Sequence, residues 1–418
     1  MNARRPWLDI YLDADRVGSL HDADPPAFEY AAGWLASPGA RPMAAIALQA
    51  GRQDGPAVQA YFENLLPEGE IRRYVAEQNQ ASTLFSLLLA VAGDTVGGFV
   101  IVPGGETPGA PVYEPTTWQA LAYRLATGSA ASIDLRGGDS RISMAGAQDK
   151  AGIAIFQDGI PRLPRGTAPS THILKPDIRR IAKVWHSAAN EAVVMRAATH
   201  CGLGAAEVFY EPLTQSCVVR RFDRVLRPDT SMARLVQYDL CQLAGIVSER
   251  KYEKEGGPGI AACAALVRRY STQPAADLVR LLRWVFFNLC TGNNDSHAKN
   301  LSLHWLPGGQ VALTPFYDLM DTRLYPGLSR EFAFAIGGET RPGRIARQQL
   351  EALASELRMQ PRFVLAQAAK VAAGLPAAVD RAIAELGPHF SPGARTLAER
   401  LREHIVSTTD KLLLRLRP

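Results

Sequence analysis

Near the start of the chain, "WLDIYLD" (residues 7–13) sets apolar groups at every second position, the period of a half-buried strand. "ADRVGSL" follows, and Gly18 is the expected turn of a hairpin into a second strand. "AVQAYFENLLPEGEIRRYVAEQ" has helical spacing up to Pro67 and again beyond it. "TVGGFVIVPGGE" reads as a strand ending in a Pro-Gly turn; a Gly- and Pro-rich passage then leads to a helix over about 116–127.

The texture changes at 141. "RISMAGAQDKAGIAIF" predicts a strand start, a small-residue loop and an alternating strand, and "THILKPD" a short strand stopped by Pro176. "NEAVVMRAATHCGL" predicts a helix stopped at Gly202, and "SCVVRRFDR" another strand. From about 237 onward most segments are expected to be helical, including "LAERLREHIVSTTDKLLLRL". No internal repeat is visible. Residues 1–140 therefore read as a small α/β region, and 141–418 as a mixed-strand region followed by a helical lobe.

Composition narrows the class. A chain of 418 residues with 47% hydrophobic and 21% charged positions is ordinary globular protein, too long for one small core and not disordered. A net charge of +5 spread without blocks gives no electrostatic footprint for nucleic acid by this chain alone. The best local basic patch, "ETRPGRIAR" with Arg341, Arg344 and Arg347, reads first as a solvated helix start. Acidic residues interrupt "MNARRPWLDIYLD" before an apolar segment forms, so no secretory leader is expected. Stretches such as "FSLLLAVAG" fall short of the roughly 20 residues a membrane helix needs, so no membrane role is expected and the cytoplasm is the expected location. The five cysteines (Cys201, Cys217, Cys241, Cys263, Cys290) are widely spaced without a C-x-x-C pair, which predicts reduced, buried thiols rather than disulfides or a zinc site.

Four stretches carry candidate chemistry. After the apolar "LLRWVFFNLC", "TGNNDSHAKN" crowds polar groups together, with Asp295 five positions before Asn300. That is the spacing of a kinase catalytic loop, in which the carboxylate orients and deprotonates a hydroxyl and the neutral amide oxygen holds magnesium. Lys299 is placed to stabilise a transferring phosphoryl group. A polar loop capping the preceding helix is the plainer alternative. In "LTPFYDLMD", Asp318 falls on a turn 18 residues after Asn300, where a second magnesium carboxylate is expected; Asp321, expected to begin a helix, is the weaker substitute. In "THILKPD", Lys175 lies on a strand among apolar neighbours and needs a charged partner, with Glu191 of "NEAVV" as the natural one. An edge lysine reaching solvent is the alternative. In "SMAGAQDK", the small residues Ala145, Gly146 and Ala147 let backbone N–H groups approach a phosphate, without forming a Walker A loop. The order of the four is that of a kinase: phosphate loop, strand lysine, helix glutamate, catalytic pair, metal carboxylate.

On "ISMAGAQDK", "THILKPD", "NEAVV", "RRFDR", "VQYDLCQ", "KYEKEGGPGI", "NDSHAKN" and "LTPFYD", and in the first region on "WLASPGARPM" and "FENLLPEGEIR", the chain resembles the HipA family of serine/threonine kinase toxins from bacterial toxin–antitoxin modules. The resemblance implies an α+β, two-lobed protein-kinase-like fold, with an N-terminal α/β subdomain (1–140) and a kinase-like, mainly helical C-terminal domain (141–418). It implies ATP and Mg2+ as cofactors. Asp295 would be the catalytic base, and Asn300 and Asp318 the magnesium ligands. Ala145, Gly146, Ala147, Gln148, Asp149 and Lys150 would form the ATP loop, Lys175 would meet the phosphates, and Arg220, Arg221 and Phe222 would lie at the adenine hinge. His297, Ala298, Lys299 and Tyr317 would complete the nucleotide side. Ser143 would be autophosphorylated, with Ser140 as a nearby competitor. Arg220 stands where the family often carries Glu, which is tolerable if the hinge contacts are made by the backbone.

The implied partners are a helix-turn-helix antitoxin homodimer of the HipB kind, operator DNA reached mainly through that antitoxin, and a protein substrate of the aminoacyl-tRNA synthetase class, glutamyl-tRNA synthetase above all. The rival expectations are a small-molecule phosphotransferase, which shares the Asp-x4-Asn logic but leaves the N-terminal motifs unexplained, and a catalytically inactive co-repressor that binds the antitoxin.

Overall fold

The computed structural model describes residues 6–91, 93–127, 149–228 and 231–417. It forms two compact units that do not follow chain order: Met1–Leu174 with Arg221–Glu249 and His304–Leu306, and Lys175–Arg220 with Arg250–Leu303 and Pro307–Pro418.

In the first unit, β1 (Trp7–Leu12), β2 (Asp15–His21), β3 (Ala27–Tyr30), β4 (Arg52–Gln53) and β5 (Phe99–Pro103) build an antiparallel sheet in the order β4-β3-β2-β1-β5. The hairpin turns at Asp13, which takes a φ of 52°, and not at Gly18. Gly18 sits inside β2 opposite Ile10, where a Cβ would lie 2.4 Å from the Glu29 carbonyl and 2.5 Å from the Phe28 ring. Close packing, and not a turn, is what this glycine provides. The alternation of β1 also hides more than it shows. Asp9 is buried, accepting from Ser19 Oγ at 2.6 Å, Arg16 Nε at 2.8 Å and Gly105 N–H at 2.6 Å. Helices Pro56–Glu63 and Gly69–Asn79 break at Pro67 as expected, and Trp118–Thr127 is helical.

A second sheet in this unit takes β6 (Val112–Pro115), β7 (Ala151–Ile155), β8 (Pro161–Arg165) and β9 (His172–Lys175) in the order β9-β7-β8-β6, with Ala151 opposite Leu174. Beside it lies a closed cluster of charge. Arg221 pairs with Asp94 at 3.0 Å and Asp223 at 2.8 Å, and Arg224 with Asp94 at 2.6 Å and Asp223 at 2.9 Å. Arg234 approaches Asp94 at 3.3 Å. The guanidiniums also donate to the carbonyls of Thr95, Gly97 and Thr167. Burial opposes the negative charge on Asp94, but Arg224, Arg221 and Arg234 outweigh it and hold the carboxyl well below the usual range.

The second unit is mainly helical. Helix Ser187–His200 is buried on nearly every face; the Asp177 carboxylate accepts from Ala188 N–H at 2.9 Å near its start, and Gly202, with φ 64°, follows its end. The hairpin of β10 (Val208–Glu211) and β11 (Ser216–Arg220) follows, so the strand expected over "SCVVRRFDR" stops at Arg220. Strands also appear beyond 237, at Ser302–Trp305 and Val311–Leu313.

Helix Pro361–Leu386 packs against Ser187–His200, Pro274–Thr291, Arg347–Glu356 and Pro392–Leu416. With its extension to His389 it is long and apolar enough to cross a membrane, which corrects the expectation that no segment is. The expectation failed because Lys370 and Asp380 interrupt its apolar run. Val364, Ala368, Ala372, Leu375, Ala378 and Val379 are fully buried, as in the core helix of a helical bundle. The Arg341–Arg347 stretch is largely neutralised locally: Arg341 pairs with Glu339 at 2.9 Å and Arg347 with Glu351 at 2.9 Å.

All five cysteines are free, and all but Cys201 are buried. Burial pushes the Cys201 thiol up to about 11 and the Cys290 thiol up to about 12, which keeps them protonated and inert.

Candidate active site

Helix Pro274–Thr291 ends at Gly292, whose φ of 75° turns the chain out of the helix and into the polar loop. The loop is a hydrogen-bonded scaffold. Asn293 Nδ2 donates to Asn288 Oδ1 at 2.8 Å, and Asn293 Oδ1 accepts from Asp295 N–H at 3.3 Å. Asn300 Nδ2 donates to the Asp295 carbonyl at 3.1 Å, across the short helical turn Ala298–Asn300. The scaffold is buried while Asp295 itself is exposed. The polar groups thus do more than cap a helix: they hold one carboxylate out to solvent.

A second element meets this loop within the same unit. Lys175 Nζ, 8% exposed, donates to Glu191 Oε1 at 2.6 Å and to Asp318 Oδ1 at 2.5 Å. Burial would strip the charge from the lysine, but Asp318 and Glu191 more than offset it and raise its pKa above the ordinary value. Glu191 is buried, at 2% exposure, whereas Asp318 is 44% exposed. Asp318 also adopts a φ of 61°, a left-handed conformation that turns the chain after Tyr317. Tyr317 OH donates to the Lys299 carbonyl at 3.1 Å, and Asn293 Nδ2 approaches the Asp318 carbonyl at 3.4 Å, so the two loops are stitched together. His297, Ala298 and Lys299 are buried.

Several groups here were not marked by the sequence. Asn190, next to Glu191, accepts from Asp321 N–H at 2.9 Å and donates to the Asp321 carbonyl at 3.0 Å. Asp321 does not begin a helix. Its carboxylate is fully buried and meets His404 Nδ1 at 2.5 Å. Burial pushes its pKa up, against the pull of His404. Thr322 Oγ1 accepts from Asn294 N–H at 2.8 Å and donates to the Gly292 carbonyl at 3.2 Å. These bonds fasten the segment after Asp318 to the helix carrying Glu191, to the catalytic-type loop and to helix Pro392–Leu416. Asp321 is thereby a fastener, and its oxygens face protein.

The hinge stretch is placed differently from the loop residues. Arg220, in the second unit, is exposed and pairs with Glu207 at 2.8 Å. The Arg221 side chain belongs to the closed charge cluster of the first unit, and Phe222 lies edge-on to His304 at 6.3 Å. Both guanidiniums are engaged with carboxylates, Arg220 with Glu207 and Arg221 with Asp94 and Asp223. Asp149 and Lys150 lead into β7, while Ser140, Ser143, Ala145, Gly146, Ala147 and Gln148 lie outside the described residues. Among the described residues no three His, Cys, Asp or Glu side chains form a metal-holding group. Magnesium brought by a nucleotide needs only one or two protein ligands.

Comparison with known proteins decides the family. A model of the HipA-like C-terminal domain matches residues 142–379, and one of the HipA N-terminal domain matches residues 8–102. The chain belongs to the HipA family. It is 28% identical over 405 residues to the serine/threonine-protein kinase toxin HipA of Shewanella oneidensis, covering 92% of this chain and 91% of that protein. It is 35% identical over 323 residues to Y4mE of Sinorhizobium fredii, covering 74% of this chain and 75% of that one. The structure is similar to HipA in the solved complex of Shewanella oneidensis HipA, HipB and operator DNA, with a TM-score of 0.84, 26% identity and 97% of each chain covered. The α+β, kinase-like fold of the family is the fold of this chain.

Proposed function

We propose that this chain is an ATP-dependent serine/threonine protein kinase acting as the toxin of a toxin–antitoxin pair. The observation that carries the reading is Lys175 bound at once to Glu191 and Asp318. A strand lysine paired with a helix glutamate is the arrangement a kinase uses to order its phosphate-binding lysine, and here the expected metal carboxylate, Asp318, meets the same ammonium. Asp295, exposed on a rigid loop, is the base that takes the proton of an acceptor hydroxyl. Asp318 and Asn300 are the residues that would hold magnesium. Asp318 offers an exposed carboxylate, and Asn300, whose amide nitrogen is committed to the Asp295 carbonyl, carries a neutral oxygen. Bound there, the ion would neutralise phosphate charge. Lys175 orients the phosphates and Lys299 assists it, with His297, Ala298 and Tyr317 on the nucleotide side; residues 145–150 keep the ATP-loop role that the family resemblance implies. The stretch 220–222 keeps the hinge role that the family resemblance implies.

The kinase-toxin name of the Shewanella relative and its solved complex with HipB and operator DNA support three further steps. The partner is a helix-turn-helix antitoxin, the operator is reached through it, and the work is done in the cytoplasm. The substrate is a protein of the aminoacyl-tRNA synthetase class, and phosphorylation of Ser143 turns the enzyme off. A phosphate on a serine that precedes the ATP-loop sequence by two residues adds about −1.5 to −2 charge, which opposes the binding of nucleotide phosphates. The test is transfer of labelled γ-phosphate from Mg-ATP to proteins of a cell lysate, by wild type and by Asp295→Asn, read together with growth on expression. Wild-type labelling and growth arrest that vanish in the variant are expected. Equal arrest by both chains sinks the kinase reading in favour of a non-catalytic co-repressor.

A further inference from the structure

The Asp295 carboxylate is not waiting empty-handed. The hydroxyl of Tyr252, from the stretch "KYEKEGGPGI", donates a hydrogen bond to its Oδ1. Tyr252 lies 43 positions before Asp295, and no motif spacing connects the two. The backbone of Tyr252 is fixed, its carbonyl accepting from Glu255 N–H at 3.0 Å and Gly257 N–H at 2.9 Å. The neighbouring Glu253 is anchored to Ala335 N–H at 2.8 Å. The ring stands edge-on to His297, with centroids 5.0 Å apart at 85°, and Lys251 Nζ lies 5.5 Å from its centre. The side chain is only partly buried. Its hydroxyl can therefore leave Asp295 by side-chain rotation alone, with the loop staying in place.

A phenol O–H on the base has the chemistry of the acceptor it precedes. A serine or threonine hydroxyl donates its proton to the same kind of carboxylate lone pair. Water does so too, and water is always present. We propose that Tyr252 is a placeholder on Asp295: its hydroxyl occupies the oxygen that an acceptor hydroxyl must reach, and so keeps the base from activating water against ATP until a protein acceptor displaces it. The suppressed side reaction is hydrolysis. The water oxygen bonds to the γ-phosphorus and the bond from that phosphorus to the bridging oxygen breaks. ADP leaves with the electron pair, and the water proton passes to Asp295. Tyr252 contacts neither ATP nor acceptor in this scheme; it is a positioning residue that works through Asp295. The inference rests on Asp295 being the base.

The experiment measures initial rates of inorganic phosphate release from Mg-ATP by the full chain with no added protein acceptor. It compares wild type, Tyr252→Phe, Tyr252→Leu, Asp295→Asn and the double variant Tyr252→Phe/Asp295→Asn, with ATP affinity titrated for each. Tyr252→Phe keeps the ring on His297 and removes only the hydroxyl, so a merely structural role would leave hydrolysis unchanged or lower it. Phosphate release is expected to rise about tenfold in Tyr252→Phe, and at least as much in Tyr252→Leu, with ATP affinity within twofold of wild type. The rise must disappear in the double variant. A Phe and a Leu variant that both bind ATP yet release phosphate no faster than wild type overturn the placeholder, as does loss of ATP binding in the Phe variant, which would put Tyr252 in the nucleotide site. A double variant that hydrolyses as fast as Tyr252→Phe instead overturns Asp295 as the base, so the two failures are told apart.

Discussion

Each unit of this protein buries a knot of opposite charges, and the two knots are built to different ends. In the first unit three guanidiniums, of Arg221, Arg224 and Arg234, enclose the carboxylates of Asp94 and Asp223. The side chains of that set are 0–9% exposed, and backbone carbonyls take up further donors. In the second unit one ammonium, Lys175, meets two carboxylates, and one of these, Asp318, is 44% exposed. The first knot is closed and carries an excess of positive charge spread over buried guanidiniums, nearly all of whose donors have partners; Arg224 Nε is the exception. The second is open on one side and carries an excess of negative charge at that opening. A buried salt bridge by itself says little about function, because desolvation cancels most of its attraction. What separates structure from site is whether any member is left facing water, and with which sign. An exposed carboxylate suits a cation arriving with phosphates; a sealed cluster suits only folding.

The largest effect that would break this contrast is on the open side. Asp295→Asn should lower phosphoryl transfer by about 10²–10⁴-fold, the usual contribution of a general base, while a nucleotide titration stays unchanged. Melting should be unchanged too, because the Asp295 side chain is exposed and its scaffold runs through backbone groups. Transfer at the wild-type rate would remove the base from the site.

Next in size is a stability effect on the closed side. Asp94→Asn leaves Arg221, Arg224 and Arg234 facing a single carboxylate, and removing one member of a buried pair costs about 3–5 kcal/mol. Chemical denaturation should show that loss at pH 7. Its pH course has a definite sign. The Asp94 carboxyl is held below its ordinary value, so its contribution is present above the unfolded pKa of about 3.9 and is lost as pH falls through the lower folded one. The gap between wild type and variant should hold from pH 7 to 5 and narrow only below about pH 4. A gap that closes already between pH 6 and 5 would show that the cluster is not what sets the Asp94 charge.

How much of this was legible in the sequence depends on distance along the chain. The helix end at Gly202, the strand read at 7–13 and found at Trp7–Leu12, and the break at Pro67 are local signals, read from a few neighbouring residues. Lys175, Glu191, Asp295, Asn300 and Asp318 were marked because kinase chemistry orders them, and the structure brings them into one unit. The partners of the closed cluster were not legible. Asp94 and Arg221 stand 127 positions apart, and Asp321 and His404 stand 83 apart. No period or motif encodes such pairings, which arise only once the sheet and the helices have packed. Asp9 and Gly18 misled for a related reason. An alternating strand shows which positions face which way, but not whether the polar face is also covered.

A smaller effect sharpens the comparison within the open knot. Asp318→Asn keeps the shape of the side chain and removes its charge. Its half-exposed bridge to Lys175 should cost roughly 0–1 kcal/mol of stability, far less than Asp94→Asn. Lys175 keeps Glu191 and stays charged. Magnesium-dependent ATP affinity should nevertheless fall by about tenfold or more, because a charged ligand of the ion is gone. A calorimetric titration with and without magnesium separates the two. Loss of affinity in both conditions would mean that Asp318 acts through Lys175 and not through the ion.

The smallest effect is expected at Arg220, and its smallness is the point. This residue stands where the resemblance places an adenine hinge and where the family often carries Glu. If its side chain recognised the nucleotide, replacing it would weaken ATP binding. The structure gives the guanidinium another occupation: it pairs with Glu207 at 2.8 Å, with side chains 61% and 72% exposed. Water screens such a pair, so its contribution to stability is near zero. The backbone of Arg220 is engaged independently, its N–H donating to the Glu207 carbonyl at 2.8 Å. Arg220→Ala keeps that bond and removes only the exposed charge. Stability should change by less than about 0.5 kcal/mol and ATP affinity by less than twofold. A several-fold loss of affinity at unchanged stability would show that the side chain leaves Glu207 to meet the nucleotide.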